Sequence, residues 1–267
     1  MSGHPAFEAI IDERVPEGLG GRMYGLYPAL VTDVSDPDSQ GRVKVVLPWA
    51  PDPSGGRYEA WARLATLMAG NGRGTWFIPD VNDEVLVGFE AGDPRRPYVL
   101  GALWNGSDAP PESMDGAGRN ARKVIHSRNG VTLTLDDTDG QESLVLQTPA
   151  GQTVTLKDGP GSIEVKDANG NTVKLESSGI TLTTSSKLSV SASTVEISAA
   201  SKLSVTSGAV EFSASSFKVT SGTVELSAGS ISASAGISKF AGLLRADAVM
   251  TNSVIGTTYT PGGGNTL

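Results

Sequence analysis

The chain has 267 residues, enough for one or two domains, and 38% of them are hydrophobic, which permits a folded core. Its net charge of -8 argues against a nucleic-acid or anionic-membrane partner, because gripping phosphates needs clustered Lys and Arg. With no cysteine and no long apolar run, the chain offers no disulfide, no thiolate metal site and no membrane-spanning helix.

The opening stretch MSGHPAFEAIIDERVPEG lacks a basic n-region and an apolar core, so no signal peptide is expected and assembly starts in the cytoplasm. Residues 1–24 read as an N-terminal arm or docking segment, with a small apolar patch at Phe7, Ile10 and Ile11. Residues 25–105 then alternate apolar runs with turn residues. The runs predict strands at Leu26–Val34, Arg42–Leu47, Tyr58–Leu64, Thr75–Ile78, Glu84–Phe89 and Tyr98–Trp104. SDPDSQG, PDPSGG, AGNGRG and AGDPRRP separate them, all dense in residues that open and close turns. Short strands at this density, with no amphipathic helix between them, predict a small Greek-key barrel such as the OB-fold.

Residues 106–123 form a Pro/Gly/polar connector. Residues 124–179 read as a hairpin-rich neck: Asn-Gly at 129–130 and 169–170 and Asp-Gly at 139–140 and 158–159 are pairs that tolerate the positive φ of tight turns. VTLTL, LVL, VTL, IEV and VKL lie around them, alternating apolar and polar residues.

From residue 180 to 240 an apolar-x-apolar unit recurs, beginning at Ile180, Leu188, Val195, Leu203, Val210, Phe217, Val224 and Ile231, with steps of 8, 7, 8, 7, 7, 7 and 7. Each unit predicts a short strand followed by a turn of small residues. Residues i and i+2 share a strand face. One side therefore collects Leu188, Val190, Val195, Ile197, Leu203, Val205, Val210, Phe212, Phe217, Val219, Val224 and Leu226. Composition alone would allow a disordered Ser/Ala/Thr/Gly tail, but disorder predicts no apolar beat. A lone ribbon of such strands cannot bury its apolar side. Either one chain coils on itself as a solenoid of about fifteen residues per turn, or several chains share one interior. Residues 241–267 close the sequence.

The residues 24–105 resemble the VgrG and phage baseplate V (gpV-like) central-spike family of contractile injection systems. The resemblance rests on ALVTDVSDPDSQGRVKVVLPW and WARLATLMAGNGRGTWFIPDVNDEVLVGFEAGDPRRPYVLGALWN. Positions that carry it include Asp33, Gly41, Arg42, Trp61, Arg63, Gly74, Phe77, Pro79, Asp83, Glu84, Gly92, Asp93, Pro94, Arg95, Pro97 and Gly101. The stretch KVIHSRNGVTLTLDDTDGQESLVLQTPAGQTVTLKDGPGSIEVKDANGN is similar to the segment leading from such a barrel into a β-helical needle. The resemblance implies an all-β chain, an N-terminal OB-fold barrel followed by an intertwined trimeric β-helix, or β-prism, needle. It also implies a homotrimer, a separate hub protein at the barrel end, a PAAR-type tip protein at Tyr259–Leu267 and effector cargo. The particle it implies is a phage tail or a phage-tail-like injector.

No catalytic, cofactor-binding or metal-binding residue is expected. His4 and His126 are far apart and have no spaced partner, whereas a catalytic or metal site needs converging groups. Asp33, Asp36 and Asp38, like Asp136, Asp137 and Asp139, could in principle ligate Ca2+, but they lack EF-hand spacing and fall where turns are expected. NGS at 105–107 matches a glycosylation acceptor without a secretory context. The expected role is therefore structural, with a monomeric OB-fold binding module on a solenoid stalk as the alternative.

Overall fold

The computed structural model describes residues 22–51, 56–253 and 255–258. His4, most of the N-terminal arm and the expected tip-binding stretch Tyr259–Leu267 lie outside the described residues. The chain divides into two units, Met1–Ala192 and Ser193–Leu267.

The first unit begins with a barrel. Its strands are β1 (Leu26–Asp33), β2 (Val43–Pro51), β3 (Arg57–Leu64), β6 (Glu84–Phe89) and β7 (Pro97–Ala102), and a two-rung hairpin of β4 (Ala69–Gly70) and β5 (Arg73–Gly74) interrupts the sequence. They close in the order β1-β2-β3-β7-β6, with β3 and β7 parallel and every other barrel pair antiparallel. Closure leaves no free edge. Alternation explains the core: Val43, Val45 and Leu47 on β2 and Val85 and Val87 on β6 point inward at i and i+2, and all are fully buried with Val31. Tyr27, Tyr58 and Phe89 pack against this core, Phe89 tilted to Tyr27 at a ring-centroid distance of 5.8 Å and edge-on to Tyr58 at 6.2 Å. The Tyr58 hydroxyl donates to the Pro94 carbonyl, and burial pushes its phenol up.

One predicted strand is absent. Thr75–Ile78 forms no ladder; the chain instead pairs β4 with β5 just before it, and Trp76 and Phe77 stand out into solvent. The apolar run TWFI does not alternate with polar residues, so it carries no half-buried strand pattern.

Residues 122–183 form a seven-stranded antiparallel meander of β8 (Arg122–His126), β9 (Thr132–Asp136), β10 (Ser143–Gln147), β11 (Thr153–Lys157), β12 (Ser162–Lys166), β13 (Thr172–Glu176) and β14 (Gly179–Thr183). Three of its turns share one construction. The first residue of the turn, Ser127, Thr148 or Asp167, lends its side-chain oxygen to the amide four positions on, that of Val131, Gln152 or Asn171. The fourth residue is Gly130, Gly151 or Gly170, each at a φ of 86 to 89°, a region open to glycine. Gly159 breaks the expectation of positive φ. It is needed for space, because a Cβ there would overlap the Gly140 carbonyl of the neighbouring turn.

From Thr184 to the last described residue no strand forms. The chain bends at 185–186, 193, 200–201, 208, 215, 222, 229 and 236, keeping the seven-to-eight-residue beat of the apolar units, and then at shorter steps at 242, 247, 252 and 257. Among the described residues this segment makes no backbone–backbone hydrogen bond within the chain. Side chains hold two of the corners: Ser207 Oγ accepts from the Ala209 amide at 3.2 Å, and Ser221 Oγ from the Thr223 amide at 3.2 Å. The strands expected for 180–240 thus appear as β14 alone. A strand needs a partner backbone about 4.8 Å away, and successive segments of one chain do not supply it.

Candidate trimerisation surface

The register of the meander sorts its side chains onto two faces. One row crosses all seven strands as Ile125, Leu133, Leu146, Val154, Val165, Val173 and Leu182. A second row on the same face, two residues along, runs Lys123, Leu135, Leu144, Leu156, Ile163, Leu175 and Ile180. Thirteen of these fourteen positions are aliphatic. The corresponding row on the opposite face runs Val124, Thr134, Val145, Thr155, Glu164, Lys174 and Thr181, five of seven polar, with Glu164 directly across from Lys174.

The aliphatic face is not covered by its own chain. Val173 and Leu175 remain 38% exposed and Ile180 72%. The face lines a trough of about 1000 Å3. Leu188, the first of the predicted interior residues, lines that trough together with Val173 and Leu182, so the trough's apolar lining extends past β14. Full burial of such a side chain is worth about 1.5–3 kcal/mol. Covering thirteen half-exposed ones therefore offers on the order of 10 kcal/mol per protomer.

Beyond the sheet, every described residue after Thr184 is exposed, including the predicted interior set. Within that set Phe212 and Phe217 stack at 5.1 Å across the bend at Ser215. The backbone here has no backbone partner in the chain, and its apolar residues from Leu188 to Ile231 share one beat while lying exposed to solvent.

The barrel carries a second exposed apolar patch. Leu67 (96% exposed), Trp76 and Phe77 cluster around the β4–β5 hairpin with Met68 and Leu100. Just after this patch, before the chain enters β6, Asp80 Oδ1 pairs with Arg128 Nη1 of the β8–β9 turn at 3.0 Å.

The acidic clusters organise turns. The Asp36 carboxylate accepts from Arg42 Nη2 at 2.6 Å and from the amides of Asp38, Gln40 and Arg42. The Arg42 guanidinium, foremost, holds that carboxyl well below the usual carboxylate range. Asp38 accepts from the same guanidinium, which also sits 5.8 Å from the Trp61 ring, while Asp33 caps the Ser35 amide. Asp136 accepts from the Thr138 hydroxyl and amide, which lower its pKa, and Asp137 pairs with Lys123 at 2.6 Å. Asp139 precedes Gly140 at the turn itself. His126 ends β8 exposed to solvent. The Asn105 side chain caps the amides of Ser107 and Asp108 and donates to Glu84, closing the barrel's exit.

Two features escaped the sequence reading. The shared turn construction is visible in retrospect as Ser, Thr or Asp three positions before Gly in SRNG, TPAG and DANG. The barrel patch was masked by reading TWFI as a strand.

Residues 27–104 match the family of the type VI secretion system/phage-baseplate injector OB domain, and residues 143–211 match the phage baseplate V C-terminal trimerisation domain. The chain belongs to the VgrG/gpV-like spike family. Together the two matches span more than half of it. Among relatives, the type VI secretion system spike protein VgrG1b of Pseudomonas aeruginosa is 29% identical over 127 residues, 45% of this chain and 17% of the relative. VgrG4b of the same organism is 35% identical over 112 residues, 40% of this chain and 14% of the relative. The actin cross-linking toxin VgrG1 of Vibrio cholerae is 30% identical over 113 residues, 41% of this chain and 10% of the relative. The chain spans less than a fifth of the length of these curated relatives.

For a VgrG/gpV-like chain the uncovered trough has a ready explanation. The trimerisation match begins at Ser143, the first residue of β10, and ends at Glu211 within the repeats. It thus covers most of the aliphatic face and the first extended segments, and it supports a homotrimer.

Proposed function

We propose that this chain is the trimeric central spike of a contractile injection particle, a structural part that carries the force of sheath contraction to the target envelope. The observation that carries the proposal is the uncovered aliphatic face running from β8 to Leu188 and onward as a bent, extended chain without backbone partners. Three copies winding around one axis bury that face and pair those backbones with one another, which yields a stiff needle without free edges. The intertwined β-prism, with Leu188, Val190, Val195 and the rest of the predicted set inside, is part of this proposal.

The barrel end takes a hub protein, and the exposed Leu67, Trp76 and Phe77 patch offers the apolar surface for such docking. A tip protein at Tyr259–Leu267 and location in a phage tail or tail-like particle follow from the same reading. No helix among the described residues is long and apolar enough to cross a membrane. Force transmission needs no active site, and the matched regions are spike domains; the toxin activity in the name of the Vibrio cholerae relative is that protein's.

A monomeric binding module on a single-chain solenoid is the competing arrangement. A solenoid pairs each coil with the next coil of the same chain, and the missing intrachain ladder after Thr184 weighs against it. Light scattering decides the matter. The expected particle mass is three times the 27.5 kDa of one chain; a stable single-chain mass at micromolar concentration overturns the spike.

A further inference from the structure

The outward side of the repeats holds a pattern that the apolar beat does not explain. Glu211, Lys218 and Glu225 follow one another at seven-residue intervals, each centred between two apolar residues: Val210 and Phe212, Phe217 and Val219, Val224 and Leu226. Bends at 208, 215, 222 and 229 separate the three segments. All three charged side chains are exposed, and within the chain none has an ion-pair partner among the described residues.

Threefold symmetry assigns them partners, granted the wound trimer proposed above. A closed interior shared by three identical chains has three faces, and one bend per corner moves each chain by one face per segment. On any face, the segment above a given one then comes from one neighbour and is one number higher in chain order. The segment below comes from the other neighbour and is one number lower. Backbone pairing sets these rungs about 4.8 Å apart.

We infer that Lys218 of each chain lies between Glu211 of one neighbouring subunit and Glu225 of the other, so that three outward columns of Glu–Lys–Glu lock the stagger of the three chains. Opposite charges directly across paired strands are favourable and like charges are unfavourable. The apolar residues alone cannot define this stagger, because they repeat in every segment. Sliding one chain by a single segment sets Lys218 beside Lys218 and glutamate beside glutamate, whereas the proposed stagger sets every charge beside its opposite. The ladder is thus the device that distinguishes one register from the next along a nearly uniform needle.

The cysteine-free sequence allows a direct test. In the Glu211→Cys/Lys218→Cys double variant of the full chain, copper-phenanthroline oxidation should give a covalent trimer on a non-reducing gel, because adjacent rungs fall within disulfide reach. Lys218→Cys alone should give no cross-link, since its three copies lie on three different faces. An intact trimer by light scattering with no cross-link in the double variant, or a cross-link in the single variant, overturns the ladder and leaves the spike standing. A monomer overturns both. The electrostatic part is read separately from urea-induced dissociation. Lys218→Glu should lower the midpoint at low salt, less so at high salt, and the Glu211→Lys/Lys218→Glu/Glu225→Lys swap should recover it. Failure to recover shows that charge does not hold the register.

Discussion

Asp36 shows how a single carboxylate shapes the barrel's first loop. Its side chain is nearly buried, yet it satisfies three backbone amides and the Arg42 guanidinium, which in turn lies over Trp61. The Arg42 hydrogen bonds favour the ionised form, so the folded pKa lies below that of an unfolded aspartate at about 4. With the folded value depressed, the stabilisation is fully present above about pH 4 and is lost as pH falls through the lowered value. Asp36→Asn should therefore lower the thermal midpoint of the barrel at neutral pH, and its deficit relative to the wild type should shrink once the pH drops below about 4. Tryptophan fluorescence can follow this; a deficit that is independent of pH refutes the ionic role. The turn itself was legible in SDPDSQG. That Arg42 is the partner was not, because the sequence gives no measure of how far the chain folds back over six residues.

At the scale of elements, the meander turns strict alternation into two surfaces with different duties. Val154 and Thr155 are neighbours on β11 but belong to opposite faces. Val154→Asp would put a carboxylate into the aliphatic row that the proposed trimer buries, at a cost of several kcal/mol. It should abolish the trimer in sedimentation velocity, while Thr155→Asp should leave it intact. Equal effects of the two refute the assignment of the apolar face. The strands of the meander were readable because VTLTL, IEV and VKL alternate and glycine-bearing turns separate them. The hairpin β4–β5 was not, since two-residue strands leave no periodicity to detect. The extended segment after Thr184 is the instructive case. Its apolar period predicted the spacing of its bends, but strand formation depends on a backbone that the chain itself does not provide.

For the whole molecule, the barrel has a buried core within one chain, whereas the aliphatic sheet face and the repeats are exposed in it and are buried only in the proposed trimer. All four tryptophans precede residue 105, so their fluorescence reports the barrel. In urea the fluorescence transition should be independent of protein concentration, and the loss of β-sheet circular dichroism should move to higher urea as concentration rises. Coincident transitions at every concentration refute this division. The family resemblance at residues 24–105 indicated the particle, and the beat after residue 180 indicated why one copy is insufficient. The seven-residue spacing of the bends also bears on how such a needle can change in evolution. Removing or inserting one seven-residue segment in the wound trimer alters its length by one rung, about 4.8 Å, and rotates everything beyond by a third of a turn. Threefold symmetry makes that rotation invisible to whatever binds the far end. In the proposed trimer, needle length could therefore drift in whole segments outside the Glu211–Lys218–Glu225 ladder by small in-frame deletions and duplications, with neither end of the spike needing to be redesigned.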